Sequence, residues 1–564
     1  MSGTPTVPGD TSRRFDRHLE GASPVARYPQ VPSAPHTQVR PSSVVGRHDP
    51  RYPDLVSRGI NARFTPDPDT VRVVATAEQA VQAVRDSVRD GTRLAVRSGG
   101  HCFESLVDDP AVTTVIDVSE MRSVYFDEEL NAFSVDSGAT LGTMYRSLYL
   151  GWGVTVPAGR CPEVGVGGHI AGGGGGALSR TYGLSVDHLH GVEVVVVDSG
   201  GRARLVRATR EPSDPHRDLW WAHTGGGAGS FGLVTRYLFR SPGTDAGSRL
   251  PDPGRLLPRP PGSVLRKTVR WNWDSVDETA FCTLVRNFGA WHERHAAPGD
   301  PGARLDNSLA LPRTGGGPLT LEMAVDATRP DAEELTDLFI RGVSQGVGAR
   351  PEVSVTTLPW LAATLVPDEF AGMKGRFKSK AAFLRTGWSE RQARMVYQRL
   401  TDTADYHNPA ATVYLLSHGG EVNRPGPADT AMAHRDAVLK TYWSVFWFDE
   451  REDALHLDWI RACYAEFFGD AGGVPDPRRG YGGAFVNYAD ADLTDPDLNR
   501  SGVPWHHLYF RDNYAALRRV KERWDPDDVF RHALSVRRSG DGSAPGISRS
   551  GTPGRTGSSD PPAS

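Results

Sequence analysis

The chain has 564 residues, of which 38% are hydrophobic and 23% charged, values typical of a globular protein with large cores. The net charge of −4 and the pI near 6.5 give no electrostatic basis for binding nucleic acid or an anionic membrane. No apolar run approaches the ~18 residues of a membrane-spanning helix. Together with the charge, this means that neither a membrane nor a nucleic acid is expected as a partner.

The N-terminus and the cysteines bear on the cellular compartment. No apolar stretch follows Arg13-Arg14, so we interpret this pair as unrelated to export and expect a cytoplasmic protein. Four cysteines in a chain of this length do not form a disulfide framework. The scattered histidines, including His506-His507, lack the spacing of metal ligands, and no metal is expected.

Regular elements begin after residues 1–60, an N-terminal arm rich in Pro, Ser and Arg that we expect to be partly disordered. Residues 71–74 predict a strand. Thr76 starts a helix capping box, and the apolar spacing that follows predicts a helix as far as Gly91. Residues 94–96 predict a second strand, which leads into a glycine-containing loop.

The next part of the chain continues the mixture of strands and helices. Thr140 is placed to cap a helix that runs to about residue 150, and residues 154–156 predict a strand. Further strands are predicted at residues 112–118, 133–135 and 193–198. These elements predict one α+β unit over residues 61–242, bounded by the Pro/Gly/Arg-rich stretch 241–262.

Residues 263–479 form a second predicted unit of strands and helices. Its helices are predicted at residues 338–347, 392–400 and 453–468. Residues 269–273 alternate polar and apolar side chains, which predicts a strand with Trp271 and Trp273 on one face. These two rings either stack on a substrate or lie in the core, and the sequence leaves both interpretations open.

The end of the chain becomes regular again. Residues 512–524 predict a strong helix, which stops at Asp525-Pro526. Residues 538–564 have the composition of a disordered tail.

Two glycine clusters give the first indication of a ligand. Residues 165–176 contain eight glycines, and a second cluster spans residues 225–229. Backbone N–H groups in such loops form nests that hold anions such as pyrophosphate. Ser98-Gly99-Gly100 also follows a strand, but neither a Walker A motif nor Gly-x-Gly-x-x-Gly is present. Spacing alone therefore predicts a binder of a nucleotide or another cofactor.

Four motifs resemble those of one protein family, and they occur in the family's order. The first two are Arg97-Ser98-Gly99-Gly100-His101-Cys102-Phe103-Glu104 and the run from Gly159-Arg160-Cys161 to Gly174. The other two are Gly482 to Asp490, which contains Asn487-Tyr488-Ala489-Asp490, and Tyr509 to Leu517. The chain therefore resembles the berberine-bridge-enzyme-like FAD-linked oxidases of the vanillyl-alcohol-oxidase superfamily, and most of all the bacterial members that act on secondary metabolites.

This resemblance implies an α+β fold with two domains. Residues 61–242 and 480–537 are implied to be the two parts of an FAD-binding domain of vanillyl-alcohol-oxidase type. Residues 263–479 are implied to be a substrate domain with an antiparallel sheet covered by helices.

The resemblance also implies that FAD is bound covalently through two side chains. His101 is implied to bond the flavin 8α-methyl group and Cys161 to bond ring position 6, which agrees with the nucleophilicity of imidazole and thiolate. The alternatives are a histidine in a turn that contacts only the backbone, an inert buried thiol, and a Cys102–Cys161 disulfide, which would exclude the thioether. The other cofactor-binding residues implied are Arg97, Ser98, Gly99, Gly100, Gly167, Gly168, His169, Gly172, Gly173, Asn513 and Tyr514.

Alcohol oxidation by a flavin requires a base for the hydroxyl proton, and the resemblance assigns this role to Tyr488. The ordinary pKa of tyrosine near 10 is high for this task, so a partner has to stabilise the tyrosinate. By alignment the opposite position is Tyr442, where other members of the family carry Gln, Glu or Asp. A shift of one residue in the strand would place Trp443 there instead.

The sequence thus predicts an FAD-dependent oxidase that oxidises a hydroxyl group of a sugar-bearing or polyketide-like secondary metabolite. Hydride passes to the flavin, and dioxygen is reduced to hydrogen peroxide. A carbohydrate oxidase that forms a lactone and an oxidative cyclase are alternatives with the same flavin. A non-catalytic flavin-binding protein is the alternative from another class.

Overall fold

The computed structural model describes residues 42–244, 252–366 and 374–540. Most of the predicted N-terminal arm and most of the predicted tail lie outside these ranges. Within them, the strands form three sheets of four, five and eight strands. With the helices between them, these sheets confirm the predicted α+β class.

The four-stranded sheet contains the strand that leads into the first glycine loop. Its strands are β1 (Ser43–Gly46), β2 (Thr70–Val73), β3 (Leu94–Arg97) and β4 (Thr114–Asp117), in the order β1-β2-β4-β3. Strands β2, β4 and β3 run parallel, and β1 is antiparallel to β2. Helices α1 (Tyr52–Val56) and α2 (Ala77–Arg89) belong to this part of the chain.

Helix α2 begins at the predicted cap, Thr76, and ends where predicted. The Thr76 hydroxyl accepts a hydrogen bond from the Gln79 backbone N–H at 3.2 Å, and the Gln79 side chain accepts one from the Ala75 N–H. Gly91 has a φ of +64°, the left-handed conformation that ends a helix at low steric cost.

The five-stranded sheet is antiparallel and packs on the glycine-rich helix. Its strands are β5 (Val124–Asp127), β6 (Ala132–Asp136), β7 (Leu189–Val197), β8 (Ala203–Thr209) and β9 (Leu233–Phe239), in the order β5-β6-β9-β7-β8. The helices of this region are α3 (Leu141–Trp152), α4 (Val166–Ala171), α5 (Ser179–Tyr182) and α6 (Arg217–Ala222). The nine residues of β7 are all buried, as their β-branched composition predicts.

One predicted strand in this region is wrong. Residues 154–156 are buried but pair with no strand of the described residues, and the Thr155 N–H donates to the Pro258 carbonyl. These residues are apolar because they are buried, and a short apolar run does not show whether its backbone pairs with another strand.

The eight-stranded sheet is antiparallel throughout. Its strands are β10 (Ser263–Trp271), β11 (Asp306–Pro312), β12 (Leu319–Asp326), β13 (Glu352–Pro359), β14 (Arg376–Leu384), β15 (Ala411–Ser417), β16 (Leu439–Trp447) and β17 (Tyr481–Gly483), in the order β13-β10-β12-β11-β15-β16-β14-β17. The helices of this part are α7 (Glu278–Arg294), α8 (Ala332–Ser344), α9 (Trp360–Thr364), α10 (Glu390–Thr401) and α11 (Asp453–Phe467). Helices α7, α8, α10 and α11 cover one face of the sheet, where alternate strand residues are buried, whereas α9 packs on α3 and on strands β10 and β13.

Trp271 lies in the core of this part, and Trp273 is partly buried and packs against that core. Strand β10 ends at Trp271, which is fully buried. Trp273 belongs to a short turn after the strand and stacks on Phe281 of α7 with ring centroids 6.0 Å apart. The alternation of polar and apolar residues at 269–273 therefore reflects packing against the covering helices, and neither ring lies on the other face of the sheet.

The C-terminal segment contacts both earlier parts of the molecule. Strand β17 is the edge strand of the eight-stranded sheet and pairs with β14. Helix α13 (Tyr514–Trp524), which follows α12 (Trp505–Phe510), packs on α6. No helix in the described ranges has the length and apolar character needed to span a membrane.

Candidate active site

The two predicted flavin loops meet backbone to backbone. A Cβ on Gly99 would lie 2.4 Å from the Gly165 backbone nitrogen, and a Cβ on Gly165 would lie 2.3 Å from the Gly99 nitrogen. The Ser98 hydroxyl donates to the Ser137 carbonyl at 2.6 Å and fixes the first loop on the five-stranded sheet. Only glycine permits this approach, which explains its presence at both positions.

The loops bring His101 and Cys161 together. The His101 Nε2 and Cys161 Sγ atoms are 4.0 Å apart, although the residues are 60 positions apart in sequence. All four cysteines are free thiols, so Cys102 and Cys161 are not joined by a disulfide. Burial raises the pKa of the Cys102 thiol to about 11, which keeps it protonated and unreactive at neutral pH.

Polar groups beside the first loop suit an anionic cofactor. Arg97 is 2% exposed and pairs with Asp117 at 3.0 Å, yet its Nη1 has no protein partner among the described residues. The buried Ser137 hydroxyl has none either. Buried donors without acceptors are costly unless a ligand satisfies them, so these groups fit the pyrophosphate of an FAD.

The glycine-rich helix α4 is held by its neighbours on both sides. The Gly167 N–H donates to the Ser137 carbonyl at 2.9 Å, and the Gly167 carbonyl accepts from the Tyr237 hydroxyl at 2.7 Å. His169 Nε2 accepts a hydrogen bond from the Gly159 N–H at 3.0 Å. Burial lowers the pKa of His169 to about 4, so the imidazole is neutral and serves the loop that carries Cys161.

The C-terminal segment closes on the end of α4. A Cβ on Gly172 would lie 1.9 Å from the Asn487 Oδ1, and the Asn487 amide donates to the His169 carbonyl at 2.9 Å. Gly173 has a φ of +117°, which side-chain-bearing residues rarely adopt. Asn487 thereby fixes Tyr488 beside the glycine loops, whereas Gly168 is open on its Cβ side.

Tyr488 and Tyr442 lie side by side in this region. Their ring centroids are 5.0 Å apart, and the Tyr442 hydroxyl is 2.9 Å from the Ser379 hydroxyl. Phe103, two residues after His101, stacks on Tyr488 at 5.5 Å with nearly parallel planes. Trp443 is on the opposite face of β16 under α11, so the strand register turns Tyr442, and not Trp443, towards Tyr488.

Two cations next to this tyrosine pair were missed in the sequence. Lys440 Nζ is 5.5 Å from the Tyr488 ring centroid, and burial together with Arg160 lowers the pKa of Lys440 to about 8. Arg160 is salt-bridged to Asp306 of β11 at 2.5 Å and interacts electrostatically with Tyr488. The sequence contained an indication of each: Lys440 lies on the same face of the strand as Tyr442, and Arg160 directly precedes Cys161.

Asn513 and Tyr514 lie at the start of α13. The Asn513 amide donates to the carbonyls of Pro427, Thr430 and Ala431 and so holds the loop before β16. The Tyr514 ring stacks on His506 with centroids 3.8 Å apart, and its hydroxyl accepts from the Arg537 N–H. Contact of either side chain with the flavin stays a prediction.

Comparison with known proteins identifies the family of the chain. A family model described as an FAD binding domain matches residues 68–205, and one described as "Berberine and berberine like" matches residues 484–537. The chain is 50% identical to an aclacinomycin-N/aclacinomycin-A oxidase of Streptomyces galilaeus over 88% of its own length and 90% of the relative's.

Solved structures show the same fold. Aclacinomycin oxidoreductase, whose crystal structure is known, is 50% identical in sequence. Its structure matches with a TM-score of 0.85 over 88% of this chain and 99% of the aclacinomycin oxidoreductase chain. A glycopeptide hexose oxidase in complex with teicoplanin is 45% identical, with a TM-score of 0.84 and coverage of 88% and 99%. Fold and site therefore define an FAD-linked oxidoreductase. More narrowly, the chain belongs to the berberine-bridge-enzyme-like FAD-linked oxidases, and the predicted combination of FAD domain and helix-covered antiparallel sheet is confirmed.

Proposed function

We propose that this enzyme oxidises a hydroxyl group of a sugar-bearing or polyketide-like secondary metabolite, with FAD bonded to both His101 and Cys161. The observation that carries the proposal is the meeting of an imidazole and a thiol at 4.0 Å beside a tyrosine pair and two cations. Residues 61–242 and 480–537 hold the flavin, and residues 263–479 supply the wall that faces it.

The double attachment is supported by the chemistry of the two side chains. Imidazole nitrogen and thiolate sulfur are nucleophiles, and the flavin benzenoid ring is electrophilic at the 8α-methyl group and at position 6. Arg97, Ser98, Gly99 and Gly100 hold the pyrophosphate side of the cofactor in this proposal. The remaining contacts are assigned to Gly167, Gly168, His169, Gly172, Gly173, Asn513 and Tyr514.

Tyr488 is the proposed base for the substrate hydroxyl. Lys440 and the Arg160 guanidinium are the positive charges near its ring, and they favour the tyrosinate over the phenol. Tyr442, held by the Ser379 hydroxyl, lies next to Tyr488 and orients the substrate hydroxyl by hydrogen bonding. The proton therefore moves from the substrate oxygen to the Tyr488 oxygen.

The bound flavin supplies the hydride acceptor for the carbon that carries the hydroxyl, and dioxygen is the proposed final acceptor, reduced to hydrogen peroxide. The product is the carbonyl compound, formed by loss of one hydride and one proton. The enzyme residues bind and orient the substrate and hold the proton.

The substrate class is inferred from the relatives and from the wall opposite the flavin loops. The relatives named above act on aclacinomycin or bind teicoplanin. In this chain the face of the eight-stranded sheet that carries Lys440 and Tyr442 also presents half-buried Tyr414, Thr412 and Ser308. Hydroxyls and aromatic rings of this kind suit a sugar attached to an aromatic aglycone.

Intact mass of the acid-denatured protein tests the attachment. We expect a mass increase of one FAD and flavin on peptides that contain His101 and Cys161. Each of the variants His101→Ala and Cys161→Ser should keep one bond, whereas Cys102→Ser is the matched control and should keep both. Release of all flavin on denaturation contradicts the proposal.

A substrate panel tests the reaction. Glycosylated aromatic polyketides, their aglycones and free hexoses are mixed anaerobically with the enzyme, and flavin bleaching near 450 nm is followed, since flavin absorption in this region is lost on reduction. Bleaching by the glycosides alone supports the proposal. Bleaching by free hexoses favours a carbohydrate oxidase instead. Peroxide formed on readmission of air tests the acceptor.

A further inference from the structure

A buried ion cluster lies behind the tyrosine pair and takes no part in the proposed chemistry. Lys378 Nζ contacts the Glu104 carboxylate and lies 2.7 Å from Asp490 Oδ1. Lys380 Nζ lies 2.7 Å from Asp490 Oδ2 and 3.0 Å from Asp492. Each of the five side chains is less than 10% exposed.

Stability alone explains such a cluster poorly. Burial of charges carries a desolvation penalty that is often as large as their mutual attraction, so buried ion pairs are weak evidence of a stabilising role. Their directional bonds do, however, fix the relative positions of the segments that carry them. The question is therefore which segments the cluster joins.

The cluster joins the loop of His101 to the segment of Tyr488. Glu104 is three residues after His101, and Asp490 is two residues after Tyr488. Between these segments, Phe103 stacks on Tyr488, and Phe377 packs its ring at right angles to Phe103 at 5.3 Å. Both lysines contact Asp490 and Asp492, and of the two it is Lys378 that also contacts Glu104, so Lys378 bridges the two segments.

A second set of bonds keeps the His101 loop on the same strand. The buried Asn61 amide donates to the Phe103 carbonyl at 2.8 Å and to the Phe377 carbonyl at 3.1 Å. Asn61 Oδ1 accepts from the Phe377 N–H. The backbone of the His101 loop is thus tied to β14 next to Lys378, and the side chain of Lys378 extends the tie to the Tyr488 segment.

We propose that Lys378 is a positioning residue that sets the distance between Tyr488 and the flavin loop of His101 by bridging Glu104 and Asp490. The proposal rests on the proposed function, in which Tyr488 is the base. A displacement of about 1 Å of a catalytic group can cost about 100-fold in rate. Loss of the bridge should accordingly lower kcat while KM, which depends on the sheet wall, changes little.

The test compares Lys378→Met with Lys380→Met in the full-length flavoprotein. Both substitutions remove one buried lysine from the same face of β14 and break a contact with Asp490, so both should lower the melting temperature. We expect Lys378→Met to lose kcat by about 100-fold and to exchange backbone amide hydrogens faster over residues 98–106. Lys380→Met should keep kcat within a few-fold of wild type and keep the exchange protection of that loop.

Equal losses of kcat in the two variants, or unchanged exchange over residues 98–106 in Lys378→Met, would overturn the proposal. If Lys378→Met does not fold, Glu104→Gln replaces it, because glutamine keeps the shape and the acceptor oxygen but not the charge. Its exchange over residues 98–106 should increase, and an unchanged rate there counts against the bridge. Tyr488→Phe separates the two proposals: wild-type kcat in that variant refutes Tyr488 as the base, and the exchange comparison still decides the role of Lys378.

Discussion

Removal of the Lys440 charge should move the pH dependence of catalysis. The Lys440 ammonium lies 5.5 Å from the centroid of the Tyr488 ring. A tyrosinate shares its charge between the oxygen and the ring, so for charges about 5.5 Å apart and an effective dielectric constant of about 20 the attraction to a cation is about 3 kcal/mol. One pKa unit corresponds to about 1.4 kcal/mol, so Lys440→Met should shift the acidic limb of kcat/KM by about two pH units to higher pH.

The assay is kcat/KM as a function of pH, which reports the ionisation of the free enzyme. Lys440→Arg is the matched control, because it keeps a cation that stays charged at every pH used. Since the pKa of Lys440 is about 8, the attraction acts in the wild-type enzyme below that pH and fades above it. An unmoved limb in Lys440→Met, or an equal shift in Lys440→Arg, would refute the electrostatic role.

Three further predictions concern stability. Acid should destabilise the fold between pH 6.5 and 4, because burial holds the pKa values of four histidines at about 4 and the unfolded chain therefore binds more protons in that range. Of these, His169, His223 and His532 should each lower the free energy of unfolding by about 1.4 kcal/mol at pH 5.5, and the more exposed His506 by less, measured as urea midpoints against pH. Lys521→Met should cost about 3–5 kcal/mol in urea unfolding, since Lys521 is fully buried and bonds Asp525 at 2.6 Å; a loss below 1 kcal/mol would contradict this. Arg180→Met should lower the melting temperature by several degrees and more than Arg304→Met, because buried Arg180 donates to four backbone carbonyls whereas Arg304 is partly exposed.

Much of the fold was accessible from sequence because local signals agreed with the tertiary structure. The capping residues Thr76 and Thr140 begin helices in both the prediction and the structure. The helix predicted at 453–468 is α11 with a one-residue difference at its end. The strand predicted at 154–156 failed because backbone pairing is a non-local property that a three-residue apolar run does not encode.

The site was accessible in part, and for a different reason. The loops of His101 and Cys161 carry motifs whose glycines are required by close backbone contact, so their sequence reports their geometry. Lys440 and Arg160 carry no such local requirement. Their proximity to Tyr488 arises from the register of β16 and from a salt bridge to β11, and both are set by long-range pairing of strands.

The position of Tyr488 in the chain has a consequence for biosynthesis. During translation both flavin loops and most of the eight-stranded sheet leave the ribosome before strand β17 and Asn487 are made. A nascent chain therefore displays His101 and Cys161 while the docking of Asn487 on α4 is still missing. In the proposed mechanism the emerging polypeptide therefore has no assembled substrate site, and turnover begins only after the last strand is released and folded.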